Sequence, residues 1–343
     1  MGLSVEIIDA VDDKRWIEFI SEINESTIFH HPCWLSVLKK QYKFEVFSYC
    51  LTDSGEKIYA GIPFCKIKSN KWISLPFSDF CNPLYKEKKY IDELISKLFE
   101  EEKKLKYDSL EIRFGDISNK NIKNNSDSVL HTLSLNDDID NIYKNFKTTQ
   151  VQHPIKNALK NNLTYKVSNA LESLEDFYKL HLRTRRKLGV PIQPKGFFKN
   201  IFTEIIKKGF GYIVLVYKDN IPISSGLFAG FNKILSYKFG ASDFRYLKLR
   251  PNNLMLWIAI QEAVKRGYKV FDFGKTDNEN MGLRKFKSGW GAEETPLFYS
   301  YYPTIPEKGK FNFVKDKLVA PVIKYSPSAV CRLTGEILYK HFA

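Results

Sequence analysis

The stretch FDFGKTDNENMGLRKFKSGWG, residues 271–291, holds the densest group of side chains that could carry out chemistry. The run FDF reads as the end of a strand, Gly274 stops it, and a polar, loop-like segment follows. Asp272 could accept a proton, or it could be a strand-end carboxylate that pairs with a neighbouring lysine. The segment is also crowded with basic side chains, among them Lys275, Arg284 and Lys287.

A second basic group lies in SLEDFYKLHLRTRRKLG, residues 173–189, whose apolar spacing predicts a helix. His181 and Arg185 are four residues apart and therefore share a face of that helix. Arg185 could bind an anionic acceptor or a donor phosphate bidentately, or the basic residues could only stabilise the negative end of the helix dipole. Tyr237 lies on a predicted central strand, where it could face a pocket or belong to the core.

The elements that would position these residues run strand, two helices, three antiparallel strands, helix, strand, and this order occurs twice. DSGEKIYAGIPF in the first pass and YKDNIPISSGLF in the second carry a turn, a strand and small residues in the same place. We therefore predict an α/β protein of two tandem copies of one fold, with mixed, mainly antiparallel sheets. The copies are expected at 1–136 and 137–303, with a bridging helix over 137–162 and a Pro-punctuated tail at 304–343.

The 343 residues carry a formal net charge of +14 and have a sequence pI of about 9.3. This charge indicates anionic partners such as phosphates, RNA or an anionic membrane surface, or it reflects the AT-rich codon usage that abundant Lys, Asn and Ile suggest. Hydrophobic residues make up 43% of the chain, so both halves can form a core and neither has a disordered composition.

Five cysteines are scattered along the chain without a CxxC pair or a histidine at ligand spacing. They predict small buried side chains in a reducing compartment and no metal site. The N-terminal residues lack the apolar core of a signal peptide, and no run approaches the ~20 apolar residues of a membrane-spanning helix. We expect a cytoplasmic protein that uses neither a metal nor another cofactor.

The order of elements resembles that of the GNAT acyltransferase fold, and seven phrases narrow the resemblance to the FemAB-like branch of that superfamily. They cover about residues 28–302: FHHPCWL, AGIPF, SLPFSDFCNPL, LHLRTRRKLGVPIQPKGFF, YKFGAS, RPNNLMLWIAIQEAVKRGYKVFDFGKT and GLRKFKSGWGA. This branch includes the aminoacyltransferases that build peptidoglycan bridges. The resemblance implies two GNAT-like domains with a shared groove, the second of which is catalytic.

The resemblance also implies roles for individual residues. In the family a Phe-Lys pair lies beside the acyl-transfer centre, and by match this role falls on Phe286 and Lys287. Lys275 and Arg284 would then hold anionic groups of the donor, and the loop with Asp79 would face the groove. We expect Lys287 to lie in a loop, with little of its side chain buried.

LRPNNLMLW, residues 249–257, occupies the place where acetyl-CoA enzymes carry a glycine-rich pyrophosphate loop, but it contains no glycine. This argues against acetyl-CoA held in the usual way and fits the Fem-like enzymes, which take their acyl group from aminoacyl-tRNA. Asn252 could cap the following helix near a bound donor, or the phrase could be only a helix start.

The resemblance implies an acyltransferase that transfers an acyl or aminoacyl group to an amino group of a cell-envelope or sugar-peptide precursor. Its donor would be an aminoacyl-tRNA or an acyl thioester, and no contact with DNA is expected. Two alternatives stay open: an acetyl-CoA-dependent N-acetyltransferase, and a non-catalytic protein that binds an anionic ligand. A peripheral contact with a membrane is also compatible with the basic charge.

Overall fold

The structure is a computed structural model that describes residues 2–54, 57–113, 117–306 and 320–342. The chain forms two compact units. Unit 1 comprises Met1–Leu130, Lys275–Glu279 and Thr295–Pro306, and unit 2 comprises His131–Gly274, Asn280–Glu294 and Glu307–Ala343. The predicted bounds of 1–136 and 137–303 differ from these units, because two short segments beyond residue 137 belong to unit 1.

The first half of the chain contains the predicted order of one GNAT-like copy. Its elements are β1 (Leu3–Ile8), α1 (Lys14–Glu22), α2 (Pro32–Tyr42), β2 (Glu45–Asp53), β3 (Lys57–Ile67), β4 (Lys71–Ile73), β5 (Leu84–Tyr85), α3 (Lys88–Glu100), α4 (Glu102–Leu105), β6 (Ser109–Arg113) and β7 (Lys123–Ser134). Only the two-residue β5 and the short α4 interrupt the expected sequence of elements.

The second half repeats that order and adds elements after it. Its elements are α5 (Ile139–Lys144), α6 (His153–Lys160), β8 (Thr164–Ser168), α7 (Leu171–Leu188), α8 (Lys195–Ile201), β9 (Gly211–Lys218), β10 (Ile221–Phe231), β11 (Ile234–Ser242), α9 (Pro251–Lys265), β12 (Val270–Asp277), α10 (Met281–Ser288), β13 (Glu293–Tyr302), α11 (Ala320–Tyr325) and α12 (Ser328–Leu338). The repeat itself runs from β8 to β12.

The two units pair their strands in the same way. In unit 1 the order is β1-β2-β3-β4-β6, with β4 and β6 parallel and the other neighbours antiparallel; β5 pairs with β3 and β13 with β6. In unit 2 the order is β8-β9-β10-β11-β12, with β11 and β12 parallel and the other neighbours antiparallel. The predicted fold class, tandem GNAT-like copies with mixed, mainly antiparallel sheets, is confirmed.

Each unit has its own hydrophobic core. In unit 1, α3 buries apolar residues three or four positions apart against β2 and β3: Ile91, Leu94, Ile95 and Leu98. In unit 2, α9 is buried on most of its circumference, since β9 and β10 pack on one side and α6 on another. This packing holds β10 and β11 firmly, and these strands carry part of the candidate site.

The segment predicted as one bridging helix over 137–162 is interrupted. It forms α5, a π-helical turn at Thr148–Gln152, and α6. The Gln152 side-chain amide lies within 3.3, 3.3 and 2.8 Å of the main-chain oxygens of Tyr143, Lys144 and Phe146, and so satisfies carbonyls that the end of α5 exposes. The sequence has no Pro or Gly between Asn141 and Gln152, so the break has no local signal.

Beyond β13, the described residues form α11 and α12, and both helices pack against α7 in unit 2. This part of the predicted tail at 304–343 is therefore a helical pair attached to the second copy. None of the described helices combines the length and the apolar character that crossing a bilayer requires.

Candidate active site

Two neighbouring strands of the second copy stop pairing partway along their length. Among the described residues, β11 and β12 are joined at three positions, of which the last is Ser236 opposite Asp272. Both strands continue beyond that point, β11 to Ser242 and β12 to Asp277. Beyond Ser236 and Asp272 the two strands no longer satisfy each other's main-chain groups, which is the kind of place where a ligand can bind.

A β-bulge at Lys238 redirects the side chains at this place. Phe228 pairs with Tyr237, but the residue before Phe228 pairs with Phe239, so Lys238 is the extra residue. Tyr237 stacks on Phe228 at 5.1 Å between ring centroids, whereas Phe239 lies 5.7 Å from the ring of His181 on α7. The bulge thus directs Tyr237 and Phe239 to opposite faces of the sheet, although they are two residues apart.

Tyr237 packs on the core, and its hydroxyl lies beside Gly240 of the same strand. A Cβ on Gly240 would collide with the Tyr237 hydroxyl, so a glycine is needed at that position. Burial raises the pKa of Tyr237, and its hydroxyl therefore stays protonated. Tyr237 thus packs on the core of unit 2, and its contact with a substrate stays a prediction.

Asp272 and Lys287 meet at the peptide groups of Gly274. One Asp272 carboxylate oxygen accepts a hydrogen bond from the Gly274 N–H at 2.7 Å, and the other accepts one from the Ser236 hydroxyl at 3.0 Å. The Lys287 ammonium donates to the Gly274 carbonyl at 2.7 Å. Gly274 has a φ of 75°, a conformation that favours glycine. The structure thus brings these two predicted catalytic residues together just after β11 and β12 separate.

The expectation that Lys287 is a little-buried loop residue is wrong. It lies on α10, and its side chain is buried. The Asn280 side chain caps this helix by accepting the Leu283 N–H at 3.1 Å. Phe286, one residue before Lys287, packs edge to face on the buried Trp290 at 6.3 Å. A capped helix anchored by an aromatic contact therefore turns Lys287 inward.

His131 belongs to the same group, and sequence analysis did not single it out. It lies on β7, fully buried, and neither ring nitrogen has a hydrogen-bond partner among the described residues. Its Nε2 lies 3.8 Å from a carboxylate oxygen of Glu294, and that carboxylate accepts a hydrogen bond from Arg284 at 2.8 Å. Burial and the Lys287 charge lower the pKa of His131 to about 4, so the ring is neutral near pH 7.

The only trace of His131 in the sequence is a lone histidine inside the apolar strand VLHTLSL. That signal is weak, because a single histidine on a strand is more often a packed core residue. Arg284, predicted to hold an anionic group of the donor, is instead paired with Glu294 of its own unit. Its role in donor binding stays a prediction.

Two other predicted binding residues belong to unit 1. The Lys275 ammonium lies 4.8 Å from the centre of the Tyr299 ring and 4.0 Å from the Asp277 carboxylate. The Asp79 main-chain carbonyl accepts a hydrogen bond from the Tyr299 hydroxyl at 2.6 Å. Lys275 and Asp79 thus share a contact with Tyr299 inside unit 1, and their binding of a substrate stays a prediction.

His181 and Arg185 hold the segment that follows α7. The His181 ring is hydrogen-bonded to the Gln193 side chain at 2.8 Å, and burial lowers its pKa to about 4. The Arg185 guanidinium donates to the Pro191 carbonyl at 3.0 and 2.8 Å, and burial lowers its pKa. Their contacts in unit 2 are structural, and binding of an anion by Arg185 stays a prediction.

Asn252 does not cap α9. The helix begins at Pro251 after Arg250, which has a φ of 61° and makes no side-chain cap bond. The Asn252 side-chain oxygen accepts the Ser224 hydroxyl at 2.7 Å and so ties α9 to β10. Asn253 and Leu254 donate their N–H groups to the Arg250 carbonyl at 3.2 and 3.4 Å. The start of this helix is therefore built differently from a glycine-rich phosphate loop.

The described residues include no group of three or more His, Cys, Asp or Glu side chains that could hold a metal ion. All five cysteines are buried, and none of them forms a disulfide bond. Burial raises the pKa of the Cys50, Cys65 and Cys81 thiols, which makes them poor nucleophiles.

Unit 1 also has a cavity of about 650 Å³ beside α3. Its lining combines apolar side chains such as Ile91 and Ile95 with polar ones such as Lys88 and Asp92. No predicted site residue lines it, and the carboxylate and ammonium at Gly274 belong to unit 2. The arrangement of reactive groups, rather than cavity volume, identifies the candidate site.

Comparison with known proteins shows what the second copy is similar to. Residues 149–288 match the family model described as an acetyltransferase (GNAT) domain. The matched range contains the Asp272–Gly274–Lys287 group together with the repeat from β8 to β12. The second copy is therefore similar to a GNAT acetyltransferase domain over these residues.

One sequence relative and one solved structure indicate a more specific similarity. The Lipid II:glycine glycyltransferase of Staphylococcus haemolyticus (strain JCSC1435) is 28% identical over 200 residues, which is 55% of this chain and 42% of that protein. The chain thus spans less than half the length of this relative. The crystal structure of FemX matches with a TM-score of 0.69 at 15% identity, covering 92% of this chain and 100% of that one.

A tandem GNAT protein from the clavulanic acid biosynthesis pathway matches with a TM-score of 0.55 at 9% identity, covering 89% of this chain and 100% of that one. At such identities the two structures show the fold, and the fold is that of tandem GNAT proteins. Together with the sequence relative and the matched domain, they show a tandem GNAT fold that is similar to that of FemX.

Proposed function

We propose that this protein is an acyltransferase that moves an acyl or aminoacyl group onto an amino group of a cell-envelope or sugar-peptide precursor. The observation that supports this most is the group at Gly274. There a buried carboxylate and a buried ammonium bind the peptide groups of one glycine, just after two strands of a GNAT domain separate. The name of the glycyltransferase relative supports aminoacyl transfer and a cell-wall acceptor.

The reaction defines what these residues must do. The acceptor nitrogen forms a bond to the acyl carbon, and the bond from that carbon to the donor's oxygen or sulfur breaks. The nitrogen loses a proton, the carbonyl oxygen carries negative charge in the transition state, and the leaving group takes up a proton. In this proposal Asp272 accepts the proton and Lys287 stabilises the negative charge.

The fixed geometry of Asp272 and Lys287 supports these roles. Hydrogen bonds to Ser236 and Gly274 orient the carboxylate, and the bond to the Gly274 carbonyl orients the ammonium. Groups fixed before the reaction need little reorganisation as charge develops. A neutral His131 also fits, because a protonated ring would add a second positive charge beside Lys287.

The start of α9 supports a donor other than acetyl-CoA bound in the usual way. No glycine lies there, and main-chain donors of its first turn are directed to the Arg250 carbonyl. Lys248 and Arg250 are exposed beside this helix start and could contact a phosphate as simple cations. We therefore propose aminoacyl-tRNA as the donor, with an acyl thioester as the alternative, and no DNA.

A location in the cytoplasm is part of the proposal. It is supported by five cysteines, none of which forms a disulfide bond, as is usual in a reducing compartment. The donor is also consistent with that location, because charged tRNA is used where proteins are made. Predicted contacts of Lys275, Asp79 and Arg185 with substrates remain part of this proposal.

A transfer assay tests the proposal. The purified protein is given a cell-wall precursor with a free side-chain amine and, separately, tRNA charged with a mixture of amino acids or acetyl-CoA. We expect product from the charged tRNA, none from acetyl-CoA, and loss of product with Lys287→Ala. Lys265→Ala is the matched control, since Lys265 is an exposed lysine at the end of α9.

Other outcomes decide between the alternatives. Product from acetyl-CoA alone would identify an N-acetyltransferase. Binding of charged tRNA without transfer to any amine would favour the non-catalytic protein. Equal activity of the Lys287→Ala and Lys265→Ala variants would contradict the proposed site while leaving the acyltransferase class intact.

A further inference from the structure

The two C-terminal helices expose an apolar face. On α12, Val330, Leu333 and Ile337 follow one another at three- and four-residue spacing and are 38%, 60% and 56% exposed. On α11, Val322 and Tyr325 are 51% and 76% exposed. Single exposed apolar residues are ordinary, but a stripe of five on two adjacent helices indicates a surface that contacts something apolar.

The opposite side of these helices is firmly attached to unit 2. Ile323 and Cys331 are buried, and the Cys331 thiol lies 3.0 Å from the Ile323 carbonyl. The Glu336 carboxylate accepts a hydrogen bond from the Lys195 N–H at 2.9 Å. Gly335 lies so close to the Ile192 main chain that a Cβ at this position would collide with it. The apolar stripe therefore faces outward, because the opposite side of the two helices packs against the rest of unit 2.

Positive charges border the stripe. Lys324 lies between Val322 and Tyr325, Arg332 lies beside Leu333, and Lys340 follows α12; all three are exposed. The one carboxylate on α12, Glu336, is engaged by the Lys195 main chain. Where α7 ends, exposed Lys187 and Leu188 precede Gly189, which approaches Ala320 at the start of α11. The border of the stripe thus carries an excess of cations.

This combination of exposed apolar and basic side chains indicates an anionic lipid surface as the partner. An apolar stripe with an exposed tyrosine and flanking lysine and arginine is what a helix presents when it lies in the interface of an anionic bilayer. Lysine and arginine can extend toward headgroups while aliphatic side chains enter the acyl boundary. At ~1.5 Å per residue, α12 is only about 16 Å long, so it can lie in the interface but cannot span it.

We propose that the outer face of α11 and α12 binds the surface of an anionic lipid bilayer, with Leu333 and Ile337 as its apolar anchors. The proposal goes beyond the transferase function and does not depend on it. It assigns to the helical pair a peripheral contact that would hold unit 2 at a membrane, where lipid-linked acceptors are found.

Sedimentation with vesicles tests this proposal. The full chain is mixed with phosphatidylcholine vesicles, either pure or with about 30% phosphatidylglycerol. We expect binding to the anionic vesicles that weakens as salt is raised, and little binding to the neutral ones. The double variant Leu333→Ser/Ile337→Ser should lower the partition coefficient at least about tenfold, because two large apolar anchors are lost.

The matched control is Leu159→Ser, which changes an exposed leucine on α6 of the same unit. It should leave vesicle binding unchanged, and all variants should keep the wild-type melting temperature because the replaced side chains are exposed. Lys324→Gln/Arg332→Gln should remove much of the salt-sensitive part of binding and keep the remainder.

Three results would overturn the proposal. The first is a wild-type protein that does not bind anionic vesicles, and the second is a double variant that binds as well as the control. The third is self-association in sedimentation velocity that the double variant abolishes, which would make the stripe a contact between two copies of this chain. Transferase activity on a water-soluble acceptor is measured separately, so its absence would leave the vesicle result intact.

Discussion

The two copies carry a carboxylate at the same position of their parallel strand pair. In unit 1, Glu111 of β6 stands opposite Ile73 of β4, and in unit 2, Asp272 of β12 stands opposite Ser236 of β11. Each carboxylate belongs to the last of three paired positions. The repeat therefore places a carboxylate at an equivalent position in both copies, and the surroundings of the two can be compared.

In unit 1 the carboxylate is neutralised by two cations. Glu111 contacts Lys71 and Arg113, each at 2.8 Å. Burial alone would raise the pKa of Glu111, but the two cations hold it at about 2. Arg113 also donates to the carbonyls of Leu75 and Ser78, both at 3.1 Å. This strand end is closed by a buried ion-pair network and serves stability.

In unit 2 the residue two positions after the carboxylate is Gly274 instead of an arginine. Asp272 accepts hydrogen bonds from an N–H and a hydroxyl, and the nearby cation, Lys287, binds the Gly274 carbonyl. Gly274 therefore has no side chain where the first copy has the guanidinium of Arg113. The difference teaches that equivalent carboxylates of one repeat can have different surroundings, and it supports the proposal that only the second copy uses its carboxylate in a reaction.

Removing the ammonium of the second copy should have the largest effect. We expect Lys287→Ala to lower kcat a hundredfold or more, roughly 3–4 kcal/mol for the loss of a preorganised charge. Because Lys287 is buried and hydrogen-bonded, the melting temperature should fall as well, so kcat is measured well below it. Lys287→Arg should restore little of the lost kcat, since a planar guanidinium does not replace a compact ammonium. A kcat near that of Lys265→Ala would refute the role.

Removing the carboxylate of the first copy should act on stability instead. Glu111→Gln leaves Lys71 and Arg113 without their charge partner, and breaking a buried pair should cost about 3 kcal/mol of unfolding free energy. The control is Glu45→Gln, whose carboxylate is exposed and 3.8 Å from Lys66, and which should cost under about 1 kcal/mol. Urea unfolding of both variants measures the difference; equal values would mean that the network contributes nothing.

The histidine of the second copy should make stability depend on pH. The folded-state pKa of His131 is lowered from 6.5 to about 4, so the unfolded chain binds more protons between these values. Stability should therefore fall as pH drops from 6.5 to 4. His30 and His181 contribute in the same window. His131→Gln should reduce the slope of unfolding free energy against pH, and an unchanged slope would mean that His131 is not held neutral.

Gly274 should show the smallest effect on stability. Its φ of 75° disfavours a side chain, so Gly274→Ala should cost about 1 kcal/mol of unfolding free energy. Gly282→Ala on α10 is the contrast, because a Cβ there meets only the Asn280 side chain at 3.9 Å and alanine favours a helix. Thermal unfolding should therefore shift in opposite directions for the two variants. Shifts of the same sign would contradict the strain assigned to Gly274.

The fold could be predicted because its signals are local. Alternation and apolar spacing mark each strand and helix, and the repeated order follows from reading them along the chain. The break between α5 and α6 could not be predicted, since it depends on the Gln152 side chain reaching back to carbonyls. The placement of Tyr237 and Phe239 on opposite faces of the sheet could not be predicted either, because simple alternation would put both side chains on one face.

The candidate site was predictable only in part. Asp272 and Lys287 stood out by residue type and by resemblance to a family. The helix that buries Lys287 had one readable signal, Asn280 before an apolar residue, but glycines and lysines made the segment look like a loop. His131 required tertiary structure, since it approaches Glu294 from far away in the sequence.

The most direct test of the account is the paired measurement of kcat and unfolding free energy for Asp272→Asn and Glu111→Gln. Asparagine can still accept the Gly274 N–H, so Asp272→Asn should unfold much like the wild type while its kcat falls at least about a hundredfold. Glu111→Gln should lose stability and keep its kcat when measured on folded protein. A wild-type kcat for Asp272→Asn, or an equal loss of kcat in both variants, would contradict the claim that only the second copy carries the reactive carboxylate.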